Sequence, residues 1–294
     1  MILSQVSSKS EGDHRCSHDW AVVLAGGEGM RLRGLTRHVY GEDRPKHYVV
    51  LTGGKSLLRQ TLDRVRLRFP AERTVVVTMA GQASYMTAEL RNLSPSPYVL
   101  QQPKDRGTAA AILLAAHWIV ARDPEAVMVV LPSDHFVTDD GPFMDRVAEI
   151  VEAIGGRSEQ IVLLGAEPSE PAIDYGWIEL GEPLPGREAA PMCRVLRFVE
   201  KPDQATAEAL FRTDALWNTF VFGGRAEVLV NAGRECLPAL HDRLIRLDSF
   251  RGTEHERWAI AQAYEFAPTA SFSRDVLERY PTKLAAMRLS AVLV

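Results

Sequence analysis

Short apolar runs alternate with amphipathic segments along the chain up to residue 166. Runs rich in β-branched residues predict buried strands, and apolar residues at helical spacing predict the helices between them. The predicted strands are 21–25, 74–79, 98–101, 127–131 and 161–166, and the predicted helices are 57–69, 85–93, 108–120 and 143–154. This alternation is typical of an α/β fold, and we expect a Rossmann-like, mostly parallel sheet with helices on both faces.

The pattern changes after Pro168. Segments 175–180 and 193–199 predict two antiparallel strands around a loop rich in proline and glycine, and we expect this hairpin to form a lid over the sheet. Helical patterns return at 205–211, 226–232, 254–264 and 274–280, followed by an apolar stretch at 284–294. The sequence contains no repeat or flexible linker, so it predicts a disordered tail at 1–19 and a single domain at 20–294.

Composition and charge exclude several classes of partner. The chain has 294 residues, is 46% hydrophobic and carries a formal net charge of −4, so no basic excess favours nucleic acid or an anionic membrane. No apolar run is as long as a membrane span, and residues 1–19 lack the apolar centre of a signal peptide. Three widely spaced cysteines fit reduced thiols. We therefore expect a cytoplasmic protein, with a homo-oligomer left open.

A glycine-rich stretch follows the first predicted strand. Gly26, Gly27 and Gly29 are followed by Arg31, and Lys46 comes shortly after. Glycines let backbone N–H groups approach phosphate oxygens, and the guanidinium can bind two oxygens at once. The stretch therefore predicts a phosphate-binding loop, although a tight turn between a strand and a helix is the simpler alternative.

Two familiar phosphate motifs are excluded by spacing. The pattern Gly-x-Gly-x-x-Gly is absent from this stretch. Gly54, Lys55 and Ser56 do not form a P-loop, because Val49 stands where that motif needs its first glycine. The predicted loop is therefore neither a dinucleotide fingerprint nor a P-loop.

An aspartate follows the fourth predicted strand. Ligands of open parallel sheets collect at the carboxyl ends of the strands, so the carboxylate of Asp134 is a candidate Mg²⁺ ligand. The alternative is a helix cap, a role for which Asp139 and Asp140 are better placed. His135 is a candidate ligand or base, but we expect it to satisfy a hydrogen bond beneath the site.

In order along the chain, these stretches resemble motifs of the sugar-phosphate nucleotidyltransferases, and especially their mannose-1-phosphate guanylyltransferase branch. The first motif of the family is Gly-Gly-x-Gly-x-Arg-Leu-x-Pro-Leu-Thr, followed further along by Pro-Lys. In this motif the chain departs from the family only at Gly34, which stands in place of the proline. Around Asp134 the family has Pro-Ala-Asp-His, and this chain has Ser133 in place of the alanine. In the family's Pro-x-x-Arg-Asn-Thr-Ala-Pro-Ala, Gly107 and Ala110 replace asparagine and proline here.

Three later segments extend the resemblance. Residues 174–178 are similar to the family's Tyr-Gly-Tyr-Ile, and residues 198–202 match Phe-Val-Glu-Lys-Pro. Residues 217–222 resemble Trp-Asn-Ser-Gly-x-Phe, with Phe220 in place of the glycine. We expect Trp217 and Phe222 to be packing residues.

The resemblance implies transfer of a nucleotidyl group from a nucleoside triphosphate to a sugar 1-phosphate with Mg²⁺, and GTP and mannose 1-phosphate are the first expectation. The implied catalytic residues are Arg31, Lys46, Asp134 and Lys201, with Asp134 also the metal ligand. The implied nucleotide-binding residues are Ala25, Gly26, Gly27, Gly29, Gln102, Arg106, Gly107, Thr108 and Ser133. The implied sugar-phosphate-binding residues are Tyr175, Gly176, Glu200, Lys201 and Asn218.

Two other functions stay open. A non-catalytic relative that binds nucleotide sugar and regulates a partner fits the departures at Gly34, Gly107 and Phe220. It also fits a chain that ends at Val294, short of the family's second metal aspartate, for which we expect weak Mg²⁺ binding by the free protein. A glycosyltransferase is disfavoured because no Asp-x-Asp follows the fourth strand.

Overall fold

The computed structural model describes residues 18–27, 33–51, 53–157, 159–185 and 191–289. Within these ranges the strands are β1 (Asp19–Ala25), β2 (Thr74–Met79), β3 (Tyr98–Gln102), β4 (Val127–Pro132), β5 (Ile161–Ala166), β6 (Gly176–Leu184), β7 (Met192–Glu200), β8 (Leu216–Arg225) and β9 (Leu284–Leu289). The helices are α1 (Arg33–Tyr40), α2 (Leu57–Val65), α3 (Ala83–Leu90), α4 (Gly107–Val120), α5 (Asp140–Gly155), α6 (Gln204–Phe211), α7 (Ala226–Cys236), α8 (Pro238–Leu244) and α9 (Glu256–Glu265). Short 3₁₀ segments and a π-helical turn at Ser273–Leu277 complete the described elements.

All of these strands join one mixed sheet in the order β3-β2-β1-β4-β8-β5-β9-β7-β6. Strands β1 to β4 are parallel neighbours, but β8 lies antiparallel between β4 and β5. The start of β6 also pairs with β8, which partly closes the sheet. The predicted α/β class is confirmed, whereas the expectation of a mostly parallel Rossmann-like sheet is wrong beyond β4.

The predicted hairpin of β6 and β7 is antiparallel, but it extends the sheet instead of lying over it. The register pairs Gly176 with Glu200 and Leu184 with Met192, and β7 also pairs with β9. The open edge of β9 explains this position, because its unpaired backbone groups need hydrogen-bond partners. The end of the hairpin at Gly176 and Glu200 faces the site described below.

Helices cover both faces of the sheet, as expected. On one face α4 is buried along nearly its whole length between the sheet and helices α7 and α8. On the other face α2 and α5 pack their apolar sides against the strands. An α-helix that is apolar all round must be enclosed, and α4 meets that condition.

The ends of the chain complete this description. Asp19 is the first residue of β1, so the predicted tail at 1–19 overlaps the sheet, and residues 1–17 lie outside the described part. The predicted single domain stays a prediction. Each helix that the structure describes is too short or too polar to cross a membrane.

A pair of buried histidines lies in the helical layer. The rings of His117 in α4 and His241 in α8 are 5.1 Å apart between centroids. Neither His117 Nε2 nor His241 Nδ1 has a hydrogen-bond partner in the described part of the chain. Burial above all, then His241, lowers the pKa of His117 to about 4; nearby Asp248 raises it and Arg251 lowers it further.

We expect acid to destabilise the protein through His117. In the unfolded chain this histidine takes up a proton near pH 6.5, whereas the folded chain resists protonation down to about pH 4. The free energy of unfolding should therefore fall by roughly 1–3 kcal/mol from this residue as the pH drops through that window. Urea unfolding at several pH values should show that the free energy of unfolding depends less steeply on pH in His117→Phe than in the wild type. His255 is exposed, so the control His255→Gln should keep the pH dependence of the wild type. If His117→Phe also kept that pH dependence, His117 would not be the source of the acid destabilisation.

Candidate functional site

Lys46 and Asp134 lie together at the carboxyl edge of the sheet. Lys46 Nζ donates to Asp134 Oδ2 at 3.2 Å, and the aspartate side chain is 43% exposed. The neighbouring parallel strands β1 and β4 end side by side, where Ser133 N and Oγ both donate to Leu24 O. The structure therefore brings two of the predicted catalytic side chains into contact.

Lys46 is held in place by the two residues that follow it. These residues form a 3₁₀ turn in which His47 and Tyr48 are buried. His47 Nε2 contacts Gln82 Oε1 at 3.3 Å, and Tyr48 OH hydrogen-bonds Thr78 Oγ1 at 3.1 Å. Burial lowers the pKa of His47 to about 4, so its ring is neutral at neutral pH. The anchored turn leaves the Lys46 ammonium free to reach Asp134.

The predicted phosphate-binding loop starts at the end of β1. A Cβ at Gly26 would lie 3.0 Å from Gln102 Nε2, so a glycine lets the loop pass close to that amide. Ala25 is fully buried as the last residue of β1. Gly29 and Arg31 lie outside the described residues, so their roles stay predictions.

The loop between β3 and α4 is fixed by backbone contacts with residues 270–272. Gly107 has φ +77°, and a Cβ there would lie 2.2 Å from Ala270 O. Ala270 N donates to Arg106 O, and Ala109 N donates to Ala270 O. Thr108 Oγ1 accepts from Phe272 N at 2.9 Å. The glycine that departs from the family pattern is therefore the residue that this close approach requires.

The side chains of that loop contact α9. Arg106 donates to Tyr264 O at 2.9 Å and to Glu265 O at 2.8 Å, which are carbonyls at the end of the helix. Gln102 is buried, and its Oε1 accepts from Tyr264 OH at 3.1 Å. The guanidinium thus caps α9, and contact of Arg106 with a nucleotide stays a prediction.

A cavity of about 830 Å³ opens at the end of the β6–β7 hairpin. Its wall includes every predicted sugar-phosphate-binding residue: Tyr175, Gly176, Glu200, Lys201 and Asn218. Lys201 follows β7 directly, has φ +52°, and its N–H donates to Tyr175 O at 3.2 Å. Side chains that are far apart in sequence are therefore gathered on one concave surface.

Glu200 is packed tightly against the opposite strand. A Cβ at Gly176 would lie 2.7 Å from Glu200 Oε2, so the glycine leaves room for the carboxylate. Burial raises the pKa of Glu200, against the lowering effects of Lys201, Ser273 and Arg274, and Glu278 adds to the rise. The half-buried carboxyl group is thus an acceptor at the edge of the cavity.

A bulge in β8 places Asn218 and Phe220 on the same wall. Leu164 pairs with Val221, but the next residue of β5 pairs with Asn218, so two residues of β8 are extra. Asn218 Oδ1 accepts from Phe220 N at 3.1 Å, and Phe220 has φ +60°. A non-glycine residue in this conformation costs roughly 1–2 kcal/mol, which explains why glycine suits the position.

The cavity is also lined by residues that the sequence did not assign to the sugar side, among them Thr108, His135, Ser271 and Ser273. The two serines follow α9, and no local pattern marked them, because only the contact of residues 270–272 with the loop at Gly107 brings them here. Trp217 packs against Tyr175 in a tilted arrangement, with ring centroids 4.9 Å apart, and it also lines the cavity, so its expected role as a packing residue stays a prediction.

One ring nitrogen of His135 does not make the expected hydrogen bond. Its Nδ1 is buried and has no hydrogen-bond partner among the described residues. Burial lowers the pKa of His135, Lys46 and Arg64 lower it further, and Asp134 opposes them. His135 is therefore near the charges of Lys46 and Asp134, and it is also among the residues that line the cavity.

The described residues contain no cluster of three or more histidine, cysteine or acidic side chains suited to a metal ion. Asp134 supplies a single exposed carboxylate beside a cation. Mg²⁺ commonly takes one or two protein carboxylates and completes its shell with water and substrate phosphates. The donor set at Asp134 fits that pattern.

The sequence model of the Nucleotidyl transferase family matches residues 20–241. The chain is 34% identical over 224 residues to the xanthan biosynthesis protein XanB of Xanthomonas campestris, covering 75% of this chain and 45% of that protein. It is 31% identical over 230 residues to mannose-1-phosphate guanylyltransferase 2 of Escherichia coli O157:H7, covering 76% and 46%. The chain thus spans less than half the length of these relatives.

A solved structure agrees with these similarities. The crystal structure of a Thermus thermophilus protein, which is named a mannose-1-phosphate geranyltransferase, superposes with a TM-score of 0.77 at 32% identity. The match covers 92% of this chain and 74% of that one. Because the family model matches three quarters of its length, the chain belongs to the nucleotidyl transferase family.

Proposed function

We propose that the protein transfers a nucleotidyl group from a nucleoside triphosphate to a sugar 1-phosphate and releases pyrophosphate. The observation that carries the proposal is the Lys46–Asp134 pair beside a cavity lined by Glu200, Lys201 and Asn218. GTP and mannose 1-phosphate are the proposed substrates, because the Escherichia coli relative is named a mannose-1-phosphate guanylyltransferase.

In the proposed reaction a phosphate oxygen of the sugar 1-phosphate attacks the α-phosphorus of the triphosphate. A new P–O bond forms there, the bond from the α-phosphorus to the bridging oxygen breaks, and pyrophosphate leaves with that oxygen. The attacking phosphate is already ionised, so no general base is needed. Catalysis then consists of positioning the two substrates and neutralising their charge.

Each charged residue has one role in this scheme. Lys46 lies along the triphosphate, Arg31 holds the leaving pyrophosphate, and Lys201 orients the attacking phosphate. Asp134 would hold Mg²⁺, which supplies charge neutralisation at the phosphates when bound. Family members generally use a divalent metal, and the exposed carboxylate of Asp134 suits one.

The remaining contacts divide between the substrates. Glu200 and Asn218 accept hydrogen bonds from sugar hydroxyls, with Tyr175 and Gly176 forming the adjoining wall. Backbone groups of the nucleotide-binding residues contact the triphosphate and base, since the side chains of Arg106 and Ser133 are engaged elsewhere. These residues are Ala25, Gly26, Gly27, Gly29, Gln102, Arg106, Gly107, Thr108 and Ser133. A cytoplasmic location and a homo-oligomer also stay predictions.

A non-catalytic nucleotide-sugar-binding regulator is the second candidate. The observation in its favour is Phe220, whose ring lines the cavity at a position where the conformation favours glycine. An aromatic side chain there takes room from the sugar. Binding would then persist while the geometry for transfer is lost.

We expect pyrophosphate release only when a triphosphate and a sugar 1-phosphate are both present with Mg²⁺. A panel of four triphosphates against several hexose 1-phosphates should give its highest rate with GTP and mannose 1-phosphate. Omitting the sugar phosphate is the control for simple hydrolysis. Calorimetric binding of a nucleotide sugar without pyrophosphate from any pair would reject the enzyme in favour of the regulator.

A further inference from the structure

A second cavity, of about 700 Å³, lies between strand β3 and helices α4 and α9, and among the described residues it shares none with the cavity at the β6–β7 hairpin. Its wall includes Tyr98 at the start of β3 and Trp118 near the end of α4. Trp20 at the start of β1 packs on both rings, with centroids 6.4 Å from Tyr98 and 6.0 Å from Trp118. The second cavity therefore reaches the edge of the sheet where the parallel strands begin, whereas Lys46 and Asp134 lie where they end.

The second cavity offers an aromatic surface to a ligand. Tyr98 is 44% exposed, and its ring packs against Trp118 with centroids 4.8 Å apart. In the described part of the sheet β3 pairs only with β2, so its outer edge is left open beside this ring. A partly exposed ring that is supported by another ring suits stacking with a nucleobase, because every base has a π-face.

Two guanidinium groups border the same cavity. Arg122 lies over the Trp118 ring, with Cζ 3.5 Å from the centroid, and donates to Trp118 O at 3.2 Å. Arg257 in α9 donates to Gln101 Oε1 at 3.4 Å. Among the described residues neither arginine forms a salt bridge, and each guanidinium has five N–H donors. Both groups can therefore still bind phosphate oxygens.

Two carboxylates on the wall complete the set of polar groups. Glu256 Oε2 accepts from Gly252 N at 2.9 Å, and the neighbouring Glu254 is exposed. These charges partly offset the arginines, so the wall does not favour a simple polyanion. Carboxylates accept from hydroxyl groups, as they do from ribose in dinucleotide sites. A ligand with a flat ring, hydroxyls and a phosphate matches all three kinds of group.

We propose that the second cavity binds a nucleoside phosphate without Mg²⁺. The base stacks on Tyr98, the phosphate binds the guanidinium groups of Arg122 and Arg257 instead of a metal ion, and the ribose hydroxyls donate to Glu254. The volume lies within the range of about 300–1,000 Å³ for small-molecule sites. Binding here needs no turnover, so the inference goes beyond the proposed function and does not depend on it.

Calorimetry of the full chain in EDTA tests this site with GDP as the probe. We expect Arg122→Gln and Arg257→Gln each to raise the Kd by about 10- to 100-fold, because each removes a charge-assisted contact. Tyr98→Phe should keep the wild-type Kd, whereas Tyr98→Leu should raise it about 10-fold. Both arginines are exposed, so urea unfolding should show that their variants fold like the wild type.

Two control variants and two further ligands accompany these measurements. Arg91→Gln removes an exposed arginine outside the second cavity, and Lys46→Ala alters the candidate catalytic site, so both should keep the wild-type Kd. Inorganic phosphate should bind far more weakly than GDP, because it cannot stack. GDP-mannose decides the source of the ligand: equal affinity extends the site to nucleotide sugars, whereas weaker binding limits it to free nucleotides.

Three results would overturn the inference. The first is that GDP does not bind in EDTA. The second is a Kd that rises in Lys46→Ala but not in Arg257→Gln, which would place the nucleotide in the candidate catalytic site. The third is inorganic phosphate that binds as tightly as GDP, since Tyr98 would then take no part. None of these results bears on pyrophosphate release, by which the proposed function is tested separately.

Discussion

Asp134→Asn should lower kcat by about 10²–10³-fold, the usual loss when one charge-stabilising contact is removed from a transition state. The substitution keeps the shape of the side chain and removes the charge that pairs with Lys46 at 3.2 Å. Because the aspartate is 43% exposed, the fold should be unaffected. Initial rates of pyrophosphate release and urea unfolding of the same preparation measure both effects.

Asp139→Asn is the matched control for that substitution. Asp139 lies in the same connection between β4 and α5, where its side chain caps the helix by accepting from Gly141 N at 3.1 Å. Asparagine caps helices about as well as aspartate, so neither rate nor stability should change. The Mg²⁺ concentration for half-maximal binding of nucleotide, followed by calorimetry, should rise only for Asp134→Asn. If Asp134→Asn turned over at the wild-type rate, Asp134 would not be a catalytic residue.

Gly107→Ala should cost roughly 3 kcal/mol or more of the free energy of unfolding, through a left-handed backbone and a steric clash together. Gly107 has φ +77°, and the new Cβ would lie 2.2 Å from Ala270 O. That carbonyl cannot yield easily, because it accepts from Ala109 N while Ala270 N bonds to Arg106 O. Urea unfolding measures the loss.

The control for Gly107→Ala is Gly34→Ala. Gly34 lies in α1, is exposed, and a Cβ there would meet no atom within 4 Å. Gly34 is the second residue of α1, where alanine is tolerated at least as well as glycine, so this variant should be at least as stable as the wild type. Should Gly107→Ala prove as stable as the wild type, residues 106–109 would not be held against residue 270, and the proposed route that brings Ser271 and Ser273 to the cavity would fail.

Local patterns predicted those elements whose conformation depends on neighbouring residues. Strands β2 and β5 begin and end where the apolar runs predicted, because a strand buried on both faces is a nearly continuous run of apolar and β-branched residues. The predicted helix at 274–280 is in fact one π-helical turn at Ser273–Leu277. Its apolar spacing was correct, but packing against its surroundings set the conformation.

The candidate site shows the same division. Motif order alone led to Lys46, Asp134, Glu200, Lys201 and Asn218, and the structure places the first two in contact and the last three on one cavity wall. These residues were found because they match family motifs that occur in the same order along this chain. The unpaired nitrogen of His135 could not be found that way, since a missing partner is a property of the surroundings.

By itself the sequence determined the α/β class, the succession of the first five strands along the chain and the identity of the charged and polar groups of the candidate site. Only the tertiary structure decided that β8 separates β4 from β5, that the β6–β7 hairpin extends the sheet, and that Gly107 lies against Ala270. The physical reason is that dihedral preferences and periodic burial act over a few residues. Hydrogen bonds between strand edges and contacts between loops join segments far apart in the chain, and their partners depend on which surfaces remain unpaired once the local elements have formed.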